Sequence, residues 1–301
     1  MTPTKGWRNG HLQTLHPQYQ SPQQPKTRKF RLSLGDTQTV AYQAGQLDGD
    51  VILLYHGLEG TIESAYVRRL ITEANARGIG VLMPQLRGTL ASETTCGIYH
   101  SWSIADFQHH TDYLLAAGAK RITAVGYSLG AAMLLNYLAL YKPNDIDQAI
   151  AVCPPFRFED SIDTFSRGMG KVYGNYLLRK LNQAIARIKQ IRGEVQAPKM
   201  SSVYEFDDRI TALNANYANA RAYYRDISPV QRLGAINART HIITAADDPF
   251  FKASSIPNQS KLGANMRLEY VPHGGHCGFV EGYQRFWLEP RVVDLALRWG
   301  H

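Results

Sequence analysis

Three side chains far apart in the sequence have the types and the order needed to make an alcohol nucleophilic: Ser128, Asp248 and His276. Ser128 sits in Gly126-Tyr127-Ser128-Leu129-Gly130, a G-x-S-x-G pattern with a strand-like run before it (Arg121 to Val125) and a helix-like run after it (Ala131 to Leu140). In that context the pattern reads as a nucleophile elbow, a sharp strand-to-helix turn that lifts a hydroxyl above a sheet. A serine hydroxyl is a weak nucleophile at neutral pH. It needs a base, and the base needs an acid that fixes its tautomer and stabilises its charged form. After Ser128 the chain supplies Asp247-Asp248-Pro249 and then His273-Gly274-Gly275-His276. Asp248 is the predicted acid because Pro249 marks the turn just beyond it; Asp247 is expected to hydrogen-bond the loop. His276 is the predicted base because the two glycines before it let the loop reach the serine, which leaves His273 a structural role. His-x-x-His also has metal-ligand spacing, but no third ligand stands at sensible spacing, so neither a metal nor a cofactor is expected.

An acyl-transfer site also needs donors for the oxyanion. The backbone N–H groups of Leu129, next to the serine, and Leu58, in His56-Gly57-Leu58-Glu59-Gly60, are the candidates. His56, Gly57 and His100 are candidate substrate-binding residues, with a structural role the alternative for His100.

These residues need strands to carry them. Val51 to Tyr55 is a continuous apolar run, as in a strand buried on both faces. Gly80 to Pro84, the run before Ser128, Ala149 to Cys153, Thr240 to Ala245 and Arg267 to Val271 read as further strands. Helical stretches separate the early ones, from about Ser64 to Arg77 and from a capping-box pattern at Ser103-Ile104-Ala105-Asp106 to about Ala117. Alternation of this kind predicts parallel β-α-β units and a doubly wound α/β sheet, opened by a hairpin of Phe30 to Leu34 and Thr39 to Tyr42. In such sheets the ligand lies beyond the carboxyl ends of the strands, where His56, Ser128, Pro154, Asp248 and His276 all fall. The predicted organisation is an extended lead-in at 1–28, a core at 29–153 and 239–301, and a helical cap at 154–238. Tyr283 to Trp299 is read as the closing helix. Within the cap, Lys171 to Arg192 repeats Leu177, Leu178, Leu181, Ile185, Ile188 and Ile191 at three- and four-residue steps. The same span carries Lys171, Arg179, Lys180, Arg187, Lys189 and Arg192 without an acidic residue. That face reads as solvated surface or as a contact to an anionic membrane or substrate.

Composition excludes several classes. The 301 residues are enough for one large core with an inserted cap. The net charge of +8 leaves nucleic acid as a formal option, but charged residues make up only 19% and no Lys/Arg block stands out, so no nucleic-acid partner is expected. Cys96, Cys153 and Cys277 are odd in number and widely spaced, which fits neither a disulfide framework nor a zinc site and favours a reducing cytoplasm. Met1 to Gly10 lacks the apolar stretch of a secretory leader, and no run approaches the roughly 18 apolar residues of a membrane span.

With those residues placed, the chain resembles the YheT-like branch of the α/β-hydrolases, related to the eukaryotic ABHD esterases and to yeast medium-chain ester synthases. The stretches that carry the resemblance are Gly10 to Leu15, His56 to Gly60, Ile98-Tyr99-His100-Ser101, Gly126 to Gly130, Glu205-Phe206-Asp207-Asp208, Tyr223-Tyr224-Arg225 with Ser228-Pro229, Asp247 to Phe250 and His273 to His276. The resemblance implies an α/β-hydrolase fold and a carboxylic-ester hydrolase with Ser128, Asp248 and His276 as its triad. The chain departs from the family at Trp102 and Ala131, where glycine is usual; Trp102 is expected to reshape the acyl pocket. Short- to medium-chain esters are the expected substrates. Acyl transfer, lipid or thioester hydrolysis by the same residues, and a non-catalytic binding protein on this scaffold, are the alternatives.

Overall fold

The structure is a computed structural model that describes residues 1–20, 22–89, 91–93, 97–191 and 199–298, the side chains of 188–191 excepted. Eight strands form one sheet: β1 (Arg28–Ser33), β2 (Gln38–Ala44), β3 (Asp50–Tyr55), β4 (Gly80–Pro84), β5 (Arg121–Tyr127), β6 (Gln148–Val152), β7 (Arg239–Ala245) and β8 (Met266–Val271). Their spatial order is β1-β2-β4-β3-β5-β6-β7-β8. The β1/β2 and β2/β4 pairings are antiparallel, and all the others are parallel. The chain steps from β3 outward to β4, then returns to lay β5 on the opposite side of β3. The crevice between the ends of β3 and β5 is therefore the switch point at which such sheets bind ligands.

β3 shows why its run is apolar throughout. Val51, Leu53 and Tyr55 join the core on one face, Ile52 and Leu54 the core on the other, and all five are at most 1% exposed. A strand has period two, so covering both faces leaves no position for a polar side chain. The helices α1 (Gly10–Tyr19), α2 (Ala65–Ala76), α3 (Asp106–Ala116) and α4 (Leu129–Tyr141) follow in chain order. α4 is buried on every side from Leu129 to Ala139, as expected of a helix with no polar stripe.

Between β6 and β7 the chain runs through α5 (Phe158–Phe165), α6 (Gly170–Ile191), α7 (Val203–Phe206), a π-helical turn (Asp207–Thr211), α8 (Ala212–Asn214) and α9 (Ala220–Ile227). α6 buries Tyr173, Leu178, Leu181 and Ile185 and turns Lys171, Arg179 and Arg187 outward. Arg192 and the Lys189, Ile188 and Ile191 side chains lie outside what is described. After β8 come a short hairpin of β9 (Val280–Gly282) and β10 (Arg285–Phe286) and then α10 (Leu288–Leu297), which packs beside α2.

Three local expectations are corrected. The lead-in is not extended throughout, because Gly10–Tyr19 is helical and capped by the Asn9 side chain, which accepts from Leu12 N at 3.0 Å. The capping-box pattern at Ser103 to Asp106 makes no side-chain cap; Asp106 instead accepts from Arg87 at 2.8 and 2.9 Å. An ion pair offers Asp106 a charged donor, which outcompetes a backbone N–H. The closing helix begins at Leu288 rather than near Tyr283, because β9 and β10 occupy the intervening residues; Trp299 lies outside the described residues.

Candidate active site

Ser128 follows β5 directly and caps α4 with φ 52° and ψ −117°. A non-glycine residue there carries strain of about 1–3 kcal/mol and persists only when its surroundings fix it. Ser128 N donates to Val152 O at 2.8 Å, which ties the turn to β6. The flanking glycines let strand and helix close up. A methyl at Gly126 would lie 2.6 Å from Ala131 Cα, and one at Gly130 would lie 2.5 Å from the His56 carbonyl oxygen. Any larger residue at either position would force the elbow open.

His276 Nε2 lies 2.8 Å from Ser128 Oγ, and His276 Nδ1 lies 2.8 Å from Asp248 Oδ2. The other Asp248 oxygen accepts from Phe250 N at 2.8 Å. The structure thus joins Ser128, His276 and Asp248 in one hydrogen-bonded chain, and Asp248 and His276 are each 8% exposed. Burial pushes the imidazole pKa down, but the facing Asp248 carboxylate outweighs it, so the pKa lies above the ordinary 6.5. The neighbouring Asp247 accepts from Gly274 N at 2.8 Å and Gly275 N at 2.9 Å and faces His273 Nδ1 at 3.4 Å. Two adjacent aspartates thus point to different tasks, Asp247 bracing the histidine loop and Asp248 facing the imidazole.

Further residues hold this arrangement that sequence reasoning did not single out. Thr14 Oγ1 accepts from His276 N at 2.8 Å while donating to Gly10 O at 2.7 Å. Gln13 is fully buried, donates to Val280 O at 2.8 Å and accepts from Val280 N at 2.5 Å. Helix α1 therefore grips the histidine loop on both sides of the imidazole. Gly275 has φ 54°, and a methyl there would lie 2.5 Å from Gly10 O, so the loop fits under α1 only as glycine. The Phe250 ring stacks on His276 at 4.1 Å and Phe251 meets it edge-on at 5.2 Å, which fixes the ring plane. For Gln13 and Thr14 the signal in the sequence was the Gly10 to Leu15 stretch within the resemblance, whereas Phe250 and Gly275 lay in the Asp247 to Phe250 and His273 to His276 stretches.

The backbone N–H groups of Leu58 and Leu129 have no protein hydrogen-bond acceptor among the described residues. Gly57 lies against the nucleophile, where a methyl would be 3.3 Å from Ser128 Cβ. Tyr66 OH accepts from Gly57 N at 3.0 Å and so steadies the approach to Leu58. Gly57, Leu58, Ser128, Leu129 and His276 all line one cavity of about 560 Å³, within the size range of small-molecule sites.

His56, His100 and Trp102 do not line this cavity. His56 is fully buried; its Nδ1 lies 2.7 Å from Gly57 O and its Nε2 accepts from Leu86 N at 3.1 Å. Burial lowers its pKa to about 4, so it braces the loop as a neutral ring. His100 is lowered to about 4 by burial and by nearby Arg87. Trp102 lies under the Arg232 guanidinium at 5.4 Å rather than in the pocket. His56 is turned into the core at the end of β3, while His100 and Trp102 are half-buried in the loop between β4 and α3, away from the cavity lining.

A metal would need ligands with free lone pairs. Among the described residues, Cys153, Cys277 and His276 bring donor atoms within 4.8 Å of one another. Both His276 nitrogens already face Ser128 and Asp248, so a metal held there would dismantle that chain. Cys96 lies outside the described residues. No described helix is long and apolar enough to cross a membrane.

Comparison with known proteins agrees with this fold. Residues 50–283 match the alpha/beta hydrolase fold family. The chain is 34% identical over 97% of its length to the Escherichia coli (strain K12) protein named "Putative esterase YheT", of which it covers 91%. It is 28% identical over 82% of its length to mouse phospholipase ABHD3, of which it covers 62%. Among solved structures, the Pyrococcus furiosus esterase Pf2001 superposes with a TM-score of 0.62 over 91% of each chain at 16% identity, a likeness of fold. The switch-point crevice, the elbow and these matches together place the chain in the α/β-hydrolase fold family, in its YheT-like branch.

Proposed function

We propose that the protein is a serine hydrolase that cleaves carboxylic esters through an acyl-Ser128 intermediate. The observation that carries this reading is the unbroken Ser128–His276–Asp248 chain opening on the cavity. Ser128 Oγ attacks the ester carbonyl carbon as His276 Nε2 takes its proton. Asp248 holds the imidazole by Nδ1 and stabilises the imidazolium. The carbonyl oxygen becomes an oxyanion facing the N–H groups of Leu58 and Leu129, each worth about 10²–10³ in rate. Collapse of this intermediate breaks the ester C–O bond, and the leaving alkoxide takes the proton from His276. Water then repeats the sequence on the acyl-serine, giving the acid and restoring the hydroxyl. No metal or cofactor enters any step.

Short- to medium-chain acyl groups are the proposed substrates; the cavity wall around His276 is aromatic, Phe250 packing against Tyr173 at 4.9 Å and against Phe165 at 5.2 Å. A p-nitrophenyl ester series from acetyl to palmitoyl tests both parts. The expected profile peaks between butyryl and decanoyl and vanishes in Ser128→Ala. No turnover of any chain length by folded wild-type protein would favour a binding role instead. Acyl transfer to an alcohol uses the same acyl-serine, and product analysis with added ethanol separates it from hydrolysis.

A further inference from the structure

The cavity has two unlike walls. Around His276 it is lined by Phe165, Tyr173 and Phe250; a second group of lining residues is polar and comprises Tyr99, Ser101, Asp207, Tyr223 and Tyr224, with Ser161 from α5. That second wall is knitted by hydrogen bonds. Tyr224 OH donates to Asp207 Oδ2 at 2.6 Å and Thr211 Oγ1 donates to Asp207 Oδ1 at 2.7 Å. Tyr223 OH donates to Ser101 Oγ at 3.0 Å and accepts from Ser101 N at 2.7 Å. None of these groups has a part in the hydrolytic steps above.

Two features indicate that the wall is aimed at a ligand as well as at its own packing. Asp207 is enclosed by protein yet keeps partial exposure, because it faces the cavity. It stands on the π-helical turn Asp207–Thr211, a distortion often found at functional sites. Ser161 is only 6% exposed, lines the cavity, and its Oγ has no hydrogen-bond partner among the described residues. A buried hydroxyl without a partner costs free energy unless something in the cavity completes it. α5 packs against both α7 and α9, which brings Ser161 to the side of the cavity where Asp207 and Tyr224 stand.

We propose that this wall is a subsite for the alcohol half of the ester and selects alcohols that carry additional free hydroxyl groups, as in glyceryl and other polyol esters. The inference rests on the ester-hydrolase reading and adds its leaving-group specificity. A carboxylate with one neutral donor on each oxygen has lone pairs left for a substrate hydroxyl. Ser161 Oγ can donate to that same group or accept from it. Burial raises the Asp207 pKa to about 6, against the hydrogen bonds from Tyr224 and Thr211, so at neutral pH the group is chiefly an acceptor. A cationic alcohol fits less well, since Lys180 also lines the cavity. The aromatic wall is left for the acyl chain.

The test compares ethyl octanoate with 1-glyceryl monooctanoate on the full chain, with the ratio of their kcat/KM values as readout. Wild-type protein is expected to favour the glyceryl ester about tenfold or more, the scale of one hydrogen bond to a charged group. Asp207→Asn and Ser161→Ala are each expected to lower that ratio, about tenfold and about threefold. Because the readout is a ratio on one protein, a general loss of fold or chemistry cancels, and Ser161→Ala removes no hydrogen bond among the described residues. A wild-type ratio near one, or a ratio unmoved by both variants, overturns the subsite while leaving ester hydrolysis intact. If neither ester is turned over and Ser128 resists acylation, the hydrolase reading itself fails.

Discussion

The hydroxyl of Thr14 is 262 residues from His276 in sequence, yet it is the acceptor for that residue's backbone N–H. Thr14→Val keeps the side-chain shape and deletes the acceptor. Thr14 is 5% exposed, so the orphaned N–H finds little water and the loss is about 1–3 kcal/mol. Gly10 O loses its donor from Thr14 in the same step. For a chain of this size that corresponds to a fall in Tm of roughly 2–10 °C. The kinetic effect should be larger in proportion, because the histidine loop can recover its hydrogen bond only by moving. A shift of about 1 Å in a reacting group costs about 10²-fold, so kcat is expected to fall between about tenfold and a hundredfold. Thr14→Ser retains both hydrogen bonds and should restore kcat to within about threefold. The assay is a steady-state ester titration beside a thermal melt for all three proteins. If Thr14→Val matches wild type in both kcat and Tm, the claim that α1 positions the imidazole is wrong.

Ester hydrolysis should rise with pH along a limb whose midpoint lies above about 6.5, because His276 works only unprotonated and Asp248 holds its proton on. Asp248→Asn should move that midpoint down and cut kcat by about 10⁴; a kcat/KM profile for both proteins measures it. Arg69 and Glu289 form a buried pair at 2.8 Å joining α2 to α10, so Arg69→Met should destabilise by about 3–5 kcal/mol in urea, and adding Glu289→Leu should recover most of it. Exhaustive dialysis against EDTA should leave turnover unchanged, and restoration of a lost activity by an added divalent cation would contradict the metal-free mechanism.

How much of this was legible in the sequence depends on where each residue's partner lies. The sheet could be read because its strands are apolar on both faces, as at Val51 to Tyr55, and the elbow because strand, glycines and helix are consecutive around Ser128. Helix α1 could not. It contains Pro17, and its buried residues include Gln13 and Thr14, whose partners include backbone atoms of Val280 and His276 more than 250 residues away. A helix buried through polar contacts shows no apolar stripe. His56 was a candidate because it follows a strand and His100 because it lies in a stretch shared with the family, but local order does not reveal which way either side chain turns. Asp207 entered only within a stretch shared with a family; its place on the cavity wall depends on how the helices between β6 and β7 fold over the sheet.

The most direct measurement of the central claim is peptide mapping by mass spectrometry after reaction with a fluorophosphonate. The account predicts one phosphonate per chain, on Ser128 Oγ, absent in folded Ser128→Ala and formed at least about 10³-fold more slowly in His276→Ala. Modification at any other residue, or undiminished ester turnover by Ser128→Ala, would contradict it.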